Sequence, residues 1–282
     1  MKKRLILIGA ALLSLAAILN SAEEASTQKI INHTINSPYL GGVETTIQIL
    51  LPARIEPDKR YRVLYILPVR DGEISGKAAW GQPMRIAQEQ GFADKYHVIC
   101  VMATFPRGSL YVNHPTKQDF QDESYFVKDV VPFVDEHYPT LAEPRGRLLV
   151  GFCASGNGAM WTMLRHLDMF GKAAAWDTWA DLDHLHPPDT HLMGTEENFQ
   201  KYCLLNLVDQ HAKELKNGPT RIVMMSYRNN RDGFFSVNRF QEKLFDYGIP
   251  YVFEFHTKEK HRWDSGWLPR AVAYLFSEDI PK

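Results

Sequence analysis

Apolar and polar positions along the chain fall into two alternating patterns. Residues 43–51 alternate as a half-buried strand that Pro52 ends, and residues 62–69 (RVLYILPV) form a nearly continuous β-branched and aliphatic run. A run of that kind marks a strand covered on both faces. The spacing predicts a helix over 78–91, closed by Gly91, and a second buried strand over 97–105 (HVICVMATF). Residues 124–138 place Phe126, Val127, Val130, Val131, Phe133 and Val134 mostly on one helical stripe, with Pro132 predicted to kink it. Further strands are predicted over 147–152, 172–176, 221–227 and 251–255, and further helices over 155–167, 197–216, 237–247 and 267–276. Strand and helix alternating so regularly imply crossover connections and a mostly parallel sheet with helices on both faces. No Ser/Gly linker, repeat or low-complexity tract divides the chain, so one domain is expected over 23–282.

The first residues stand outside this pattern. Lys2, Lys3 and Arg4 precede an apolar run from Leu5 to Leu19, then the small residues Ser21 and Ala22. This reads as a signal peptide over 1–22, and the run is shorter than the roughly 20 residues that span a bilayer. A secreted or periplasmic protein with no stable membrane insertion is the expectation. Of the 282 residues, 45% are hydrophobic and 23% charged, which excludes disordered and fibrous classes. Lys and Arg number 32 against 33 Asp and Glu, so no excess positive field favours nucleic acid. Three cysteines cannot form a fully paired framework.

In open parallel sheets chemistry collects at the carboxyl ends of the strands. One strand exit there stands out: Gly151-Phe152-Cys153-Ala154-Ser155-Gly156-Asn157-Gly158-Ala159 runs from RLLV straight into a helical pattern. This is the layout of a nucleophile elbow, G-x-S-x-G, with Cys153 at the nucleophile position. The tight turn needs small residues two before and two after the nucleophile, and Gly151 and Ser155 meet that need. With Ser155 as nucleophile, Cys153 and Asn157 would occupy those places, so that register is rejected. A helix N-terminus supplies positive potential that favours a thiolate, and a paired histidine favours it further. The commoner fate of a free cysteine is burial as a small apolar side chain. That reading suits Cys100 and Cys203, whereas strand, elbow and helix together favour a nucleophile at Cys153.

A cysteine nucleophile needs a base, and the chain order in this architecture is nucleophile, acid, histidine. His261 follows the last strand and Asp232 follows the strand RIVMMSY, each where its role requires. The imidazole takes the thiol proton, and the carboxylate fixes the imidazole tautomer. His256 is the main rival base, and Asp177, Asp181 and Asp183 are rival acids. His184, His186 and His191 with Asp181 and Asp183 carry the donor types of a zinc site, but their spacing matches no ligand pattern, so no metal is expected. Asn32-His33-Thr34 is formally a glycosylation sequon.

With these residues placed, the chain resembles the putative esterase family, which includes esterase D, S-formylglutathione hydrolase, feruloyl esterases and the secreted mycolyltransferases. The resemblance covers roughly residues 35–275 and rests on SPYLGGVETTIQILLP, RVLYILPV, ESYFVKDVVPFVDEHYP, GFCASGNGA, RDGFFSVNRFQEKLFDYGIPYVFEF and HRWDSGWLPRAVAYL. It implies an α/β-hydrolase fold, no cofactor, and acyl transfer from a small-molecule or polysaccharide-linked ester or thioester. It also implies an oxyanion hole formed by the Ala154 amide and a donor near Arg70. Two departures stand in this chain: the family's serine is here Cys153, and its His-Gly after the third strand is here Pro68-Val69, followed by Arg70. The expected function is an exported Cys-His-Asp ester hydrolase. The alternative is an impaired relative that keeps the cleft to bind a carbohydrate or a protein partner.

Overall fold

The computed structural model describes residues 28–69, 80–106, 108–185, 189–227, 237–256 and 259–277. The expected signal peptide, Arg70, His186 and Asp232 lie outside the described residues.

Eight strands form one sheet in the order β1-β2-β4-β3-β5-β6-β7-β8. They are β1 (Ile31–Asn36), β2 (Glu44–Leu50), β3 (Arg62–Ile66), β4 (Val98–Ala103), β5 (Arg147–Phe152), β6 (Lys172–Trp176), β7 (Ile222–Tyr227) and β8 (Tyr251–His256). Neighbouring strands from β4 through β8 pair in parallel, while β2 pairs antiparallel with both β1 and β4. Strand β1 has no counterpart in the hydrophobic pattern. It lies at the sheet edge with every described side chain at least partly exposed, so it lacks the apolar face that would mark it in the sequence.

Helices cover both faces. On one side lie α1 (Pro83–Glu89), α2 (Phe92–Lys95) and α9 (Trp267–Phe276), packed against Leu64, Ile66, Val98, Cys100, Leu148 and Val150. On the other side, α3 (122–137), α4 (Ala154–Arg165), α7 (Leu204–Asn217) and α8 (Asn238–Asp246) pack against Val63, Tyr65, Ile99, Val101 and Leu149. Adjacent residues of RVLYI therefore enter opposite cores, which explains the unbroken apolar run. Two short helices, α5 (Thr190–Met193) and α6 (Glu196–Gln200), precede α7. The helix expected over 197–216 is thus split, with Tyr202 and Cys203 buried between its parts.

Helix α3 is three consecutive segments, Asp122–Tyr125, a wider π turn at Phe126–Val130, and Val131–His137. The wide turn precedes Pro132, and the Val131 amide donates to the Phe126 carbonyl five residues back. Proline has no N–H to continue the ordinary ladder, so the expected disturbance takes the form of a π turn. Buried Glu123 on α3 accepts from Arg165 Nε at 2.7 Å and from the Tyr202 hydroxyl at 2.7 Å, and pairs with His166 Nε2 at 2.8 Å. These bonds tie α3 to the end of α4.

Burial opposes the Glu123 charge, but the bonds from His166, Arg165 and Tyr202 outweigh it and hold the carboxyl down to about 2. A depressed carboxyl adds stability above its ordinary value of 4.5 and loses that stability as pH falls towards 2. Between those limits the unfolding free energy is predicted to drop by on the order of 3 kcal/mol through this group. Chemical denaturation of wild type and Glu123→Gln across that window checks this: the acid-side slope should flatten in the variant, and matching slopes would contradict it.

Candidate active site

Strand β5 ends at Phe152 and α4 begins at Ala154, leaving Cys153 alone to make the turn. Its backbone sits at φ 54° and ψ −131°, a conformation that costs a residue with a Cβ about 1–3 kcal/mol unless its surroundings impose it. Here they do. The Cys153 amide donates to the Trp176 carbonyl at 3.0 Å, and its own carbonyl accepts from the Gly156 amide at 3.1 Å. A Cβ on Gly151 would lie 2.2 Å from the Ser155 carbonyl oxygen, so strand and helix can approach this closely only with glycine there. The Ser155 hydroxyl is fully buried and donates to the Phe152 carbonyl at 3.0 Å, while accepting from the Phe152 amide at 3.2 Å. Ser155 thus closes the turn, and the half-buried Cys153 is the side chain left at the mouth of the elbow.

His261 comes to Cys153 from the loop after β8. Its Nδ1 lies 3.2 Å from Asp177 Oδ2, and its ring also hydrogen-bonds the Cys153 sulfur. With Nδ1 committed to the carboxylate, Nε2 is the nitrogen left for the thiol. Phe152 packs edge-on against the imidazole at 4.9 Å between centroids, and Trp80 does so at 6.0 Å. Trp176 stacks on Phe152 at 5.3 Å, and Trp263 meets both of those rings edge-on. This aromatic wall shields the imidazole, leaving it 24% exposed. Burial alone would pull the histidine down, but the bonds to Asp177 and Cys153 outweigh it and raise it to about 9. For Asp177, burial is the larger influence and pushes the carboxyl upward against the pull of His261.

The carboxylate on His261 therefore comes from the exit of β6, one of the rival positions in the sequence. The expected acid, Asp232, lies outside the described residues. Asp177 directly follows Trp176, is 1% exposed, and has φ 47°, a turn that few residues other than glycine adopt. The other rivals are engaged elsewhere: Asp181 accepts from the Phe240 amide, and Asp183 pairs with Arg239 and His184. His256 is the last residue of β8 and pairs with Tyr227 in the strand ladder. Cys100 lies inside β4, where burial pushes its thiol up to about 12, and the Cys203 sulfur donates to the Leu182 carbonyl at 3.3 Å.

Ala154 is the first residue of α4, so its amide has no partner inside the helix. On the other side of the elbow, the Pro68 carbonyl accepts from the Tyr111 hydroxyl at 2.5 Å and Val69 is buried. Arg70 lies beyond the described residues. Among the described residues, no cluster of His, Cys, Asp and Glu is arranged to hold a metal ion, and no helix is long and apolar enough to cross a membrane. Two residues at the elbow escaped the sequence reading altogether. Asn157 and Thr178 bond to each other beneath Cys153, and a buried asparagine inside an elbow helix was the one available signal.

The chain resembles solved structures along most of its length. An S-formylglutathione hydrolase (FrmB) from Staphylococcus aureus superposes with a TM-score of 0.69 at 17% identity, covering 89% of this chain and 100% of that one. An S-formylglutathione hydrolase from Agrobacterium tumefaciens gives 0.69 at 15% identity over 88% of this chain and 94% of that one. A ferulic acid esterase gives 0.66 at 16% identity over 89% and 97%. At these identities the likeness is one of fold, and the fold is that of the α/β-hydrolases in a single domain. No curated protein matches the sequence. The family model described as Putative esterase matches residues 37–182, from the first turn before β2 through the elbow to the exit of β6. By that match over more than half its length, the chain belongs to the Putative esterase family of hydrolases.

Proposed function

We propose that this chain is an exported carboxylic-ester or thioester hydrolase that works through an acyl-enzyme on Cys153. One observation carries the reading: the His261 ring bonds the Cys153 sulfur and the Asp177 carboxylate at once. A structural thiol has no need of a base, and a surface histidine has no need of a buried carboxylate behind it.

In this reading His261 takes the thiol proton of Cys153. The sulfur then attacks the acyl carbonyl carbon, and a C–S bond forms as the carbonyl electrons move onto oxygen. The Ala154 amide, at the positive end of α4, holds that oxyanion, with a second amide at Val69 or Arg70. Collapse breaks the acyl–oxygen or acyl–sulfur bond, and His261 Nε2 hands its proton to the leaving alcohol or thiol. Water next gives a proton to Nε2 and attacks the thioester, which releases the acid and restores the starting pair. Asp177 stabilises the imidazolium at each stage and fixes which nitrogen faces the sulfur. Half-buried Trp80 beside His261 suits small aryl or short-chain acyl esters. Esters carried on polysaccharides fit an exported member of this family, whose relatives include a ferulic acid esterase.

Cys153→Ala should lower hydrolysis of p-nitrophenyl acetate by roughly a thousandfold or more, since the covalent route is lost. Turnover at the wild-type rate in that variant would overturn the nucleophile. The acid is assigned by a pair of variants. Asp177→Asn should cost about a hundredfold or more in kcat, and Asp232→Asn should leave the rate near wild type. The reverse ranking would return the acid to the loop after β7. In the same Asp177→Asn protein, an NMR titration of His261 should move down from about 9 towards its ordinary 6.5. An unmoved titration would show that Asp177 does not hold the imidazolium.

A further inference from the structure

Cys153 and Asp177 each follow the last residue of their own strand, and those last residues, Phe152 and Trp176, are direct partners in the ladder. The two residues that face His261 thus stand side by side at the same level of the sheet. Both also have φ near +50°. Neither has the conformational freedom of glycine, so both turns must be held by their surroundings.

What holds them is a pair of buried polar side chains between the two turns. The single proton of the Thr178 hydroxyl is shared between the Cys153 carbonyl, at 3.2 Å, and Asn157 Oδ1. The same Oδ1 accepts from the Trp179 amide at 2.8 Å, and the Asn157 amide group reaches back to the Trp179 carbonyl at 3.4 Å. Asn157 is 3% exposed and Thr178 is fully buried, so water does not compete for these bonds. The helix comes close enough because residue 156 is glycine: a Cβ there would lie 3.1 Å from the Thr178 Cβ. The two segments so joined are the elbow and the residues immediately after the acid.

We propose that Asn157 and Thr178 are positioning residues that lock the Cys153 turn to the Asp177 turn, so that a single imidazole reaches both. This rests on the triad reading above. Neither side chain touches the reacting atoms. Each acts by fixing the backbone that aims a catalytic group. Loosening the lock lets the Asp177 turn relax, which lengthens its contact with His261 and weakens the imidazolium.

Thr178→Val keeps the shape of the side chain and removes the hydroxyl, whereas Thr178→Ser keeps the hydroxyl. With p-nitrophenyl acetate, Thr178→Val should lower kcat about tenfold or more with KM within about twofold, because only transition-state alignment is lost. Its His261 titration should fall below the wild-type value, and Thr178→Ser should restore both kcat and the titration. Thermal unfolding of each variant separates this from loss of fold. If Thr178→Val does not fold, Asn157→Ala is carried through the same three measurements, with the same losses expected. Wild-type kcat and His261 titration in the folded hydroxyl-free variant would overturn the proposal. So would equal impairment in Thr178→Ser, which would point to packing alone. Asp177→Asn in parallel tells the two failures apart: full activity there sinks the triad itself, while its loss beside an unaffected Thr178→Val sinks only the lock.

Discussion

The proposed chemistry depends on one imidazole held between a sulfur and a carboxylate. His261 is brought there by a loop after the last strand, while its two partners stand on neighbouring strands, one residue beyond the end of each. That arrangement is possible because β5 and β6 pair in parallel and in register, so their exits open on the same edge of the sheet. The remainder of the fold keeps that edge rigid. Two apolar cores grip β5 and β6 from opposite faces, with Leu149 and Ala175 in one and Val150, Phe152 and Trp176 in the other.

The site concentrates strain and burial in one place. Two residues with Cβ atoms adopt left-handed turns, and a carboxylate and an imidazole give up most of their water. Most of these costs are offset locally, the exception being Asp177 Oδ1, which is buried without a hydrogen-bond partner among the described residues. The elbow is closed by the Ser155 hydroxyl, the acid turn by Asn157 and Thr178, and the imidazole by its two polar partners and a wall of rings. Buried polar groups of this kind contribute only as a complete set, because a half-satisfied network leaves uncompensated donors and acceptors behind. The Glu123 cluster follows the same rule farther from the chemistry, joining α3 to the end of α4. It thereby steadies the helix that begins directly after Cys153.

Much of this was legible in the sequence, for physical reasons that can be named. Strands buried on both faces, such as RVLYI and VICVMA, leave unbroken apolar runs, and the elbow announces itself through small residues that close packing demands. Edge strand β1 left no such mark because it buries no full face. Chain order pointed to His261, whose ring meets Asp177 and Cys153. The carboxylate beside His261 was harder to pick out, because several strand exits carry an aspartate and the sequence does not say which of them reaches the ring. Asp177 has the positive φ that makes this bend, yet nothing in a one-dimensional pattern marks a non-glycine residue as left-handed. Asn157 and Thr178 stayed hidden for a related reason: their partnership exists only once β6 lies beside the elbow.

The central claim, that acyl transfer passes through the Cys153 sulfur, is open to direct observation. The protein is mixed briefly with excess p-nitrophenyl acetate, quenched in acid, digested and examined by mass spectrometry. A single acetyl group on the peptide holding Cys153, removed by neutral hydroxylamine as a thioester is, is the result the account predicts. Continued turnover with that sulfur unmodified, or with the acetyl group on another side chain, would contradict it.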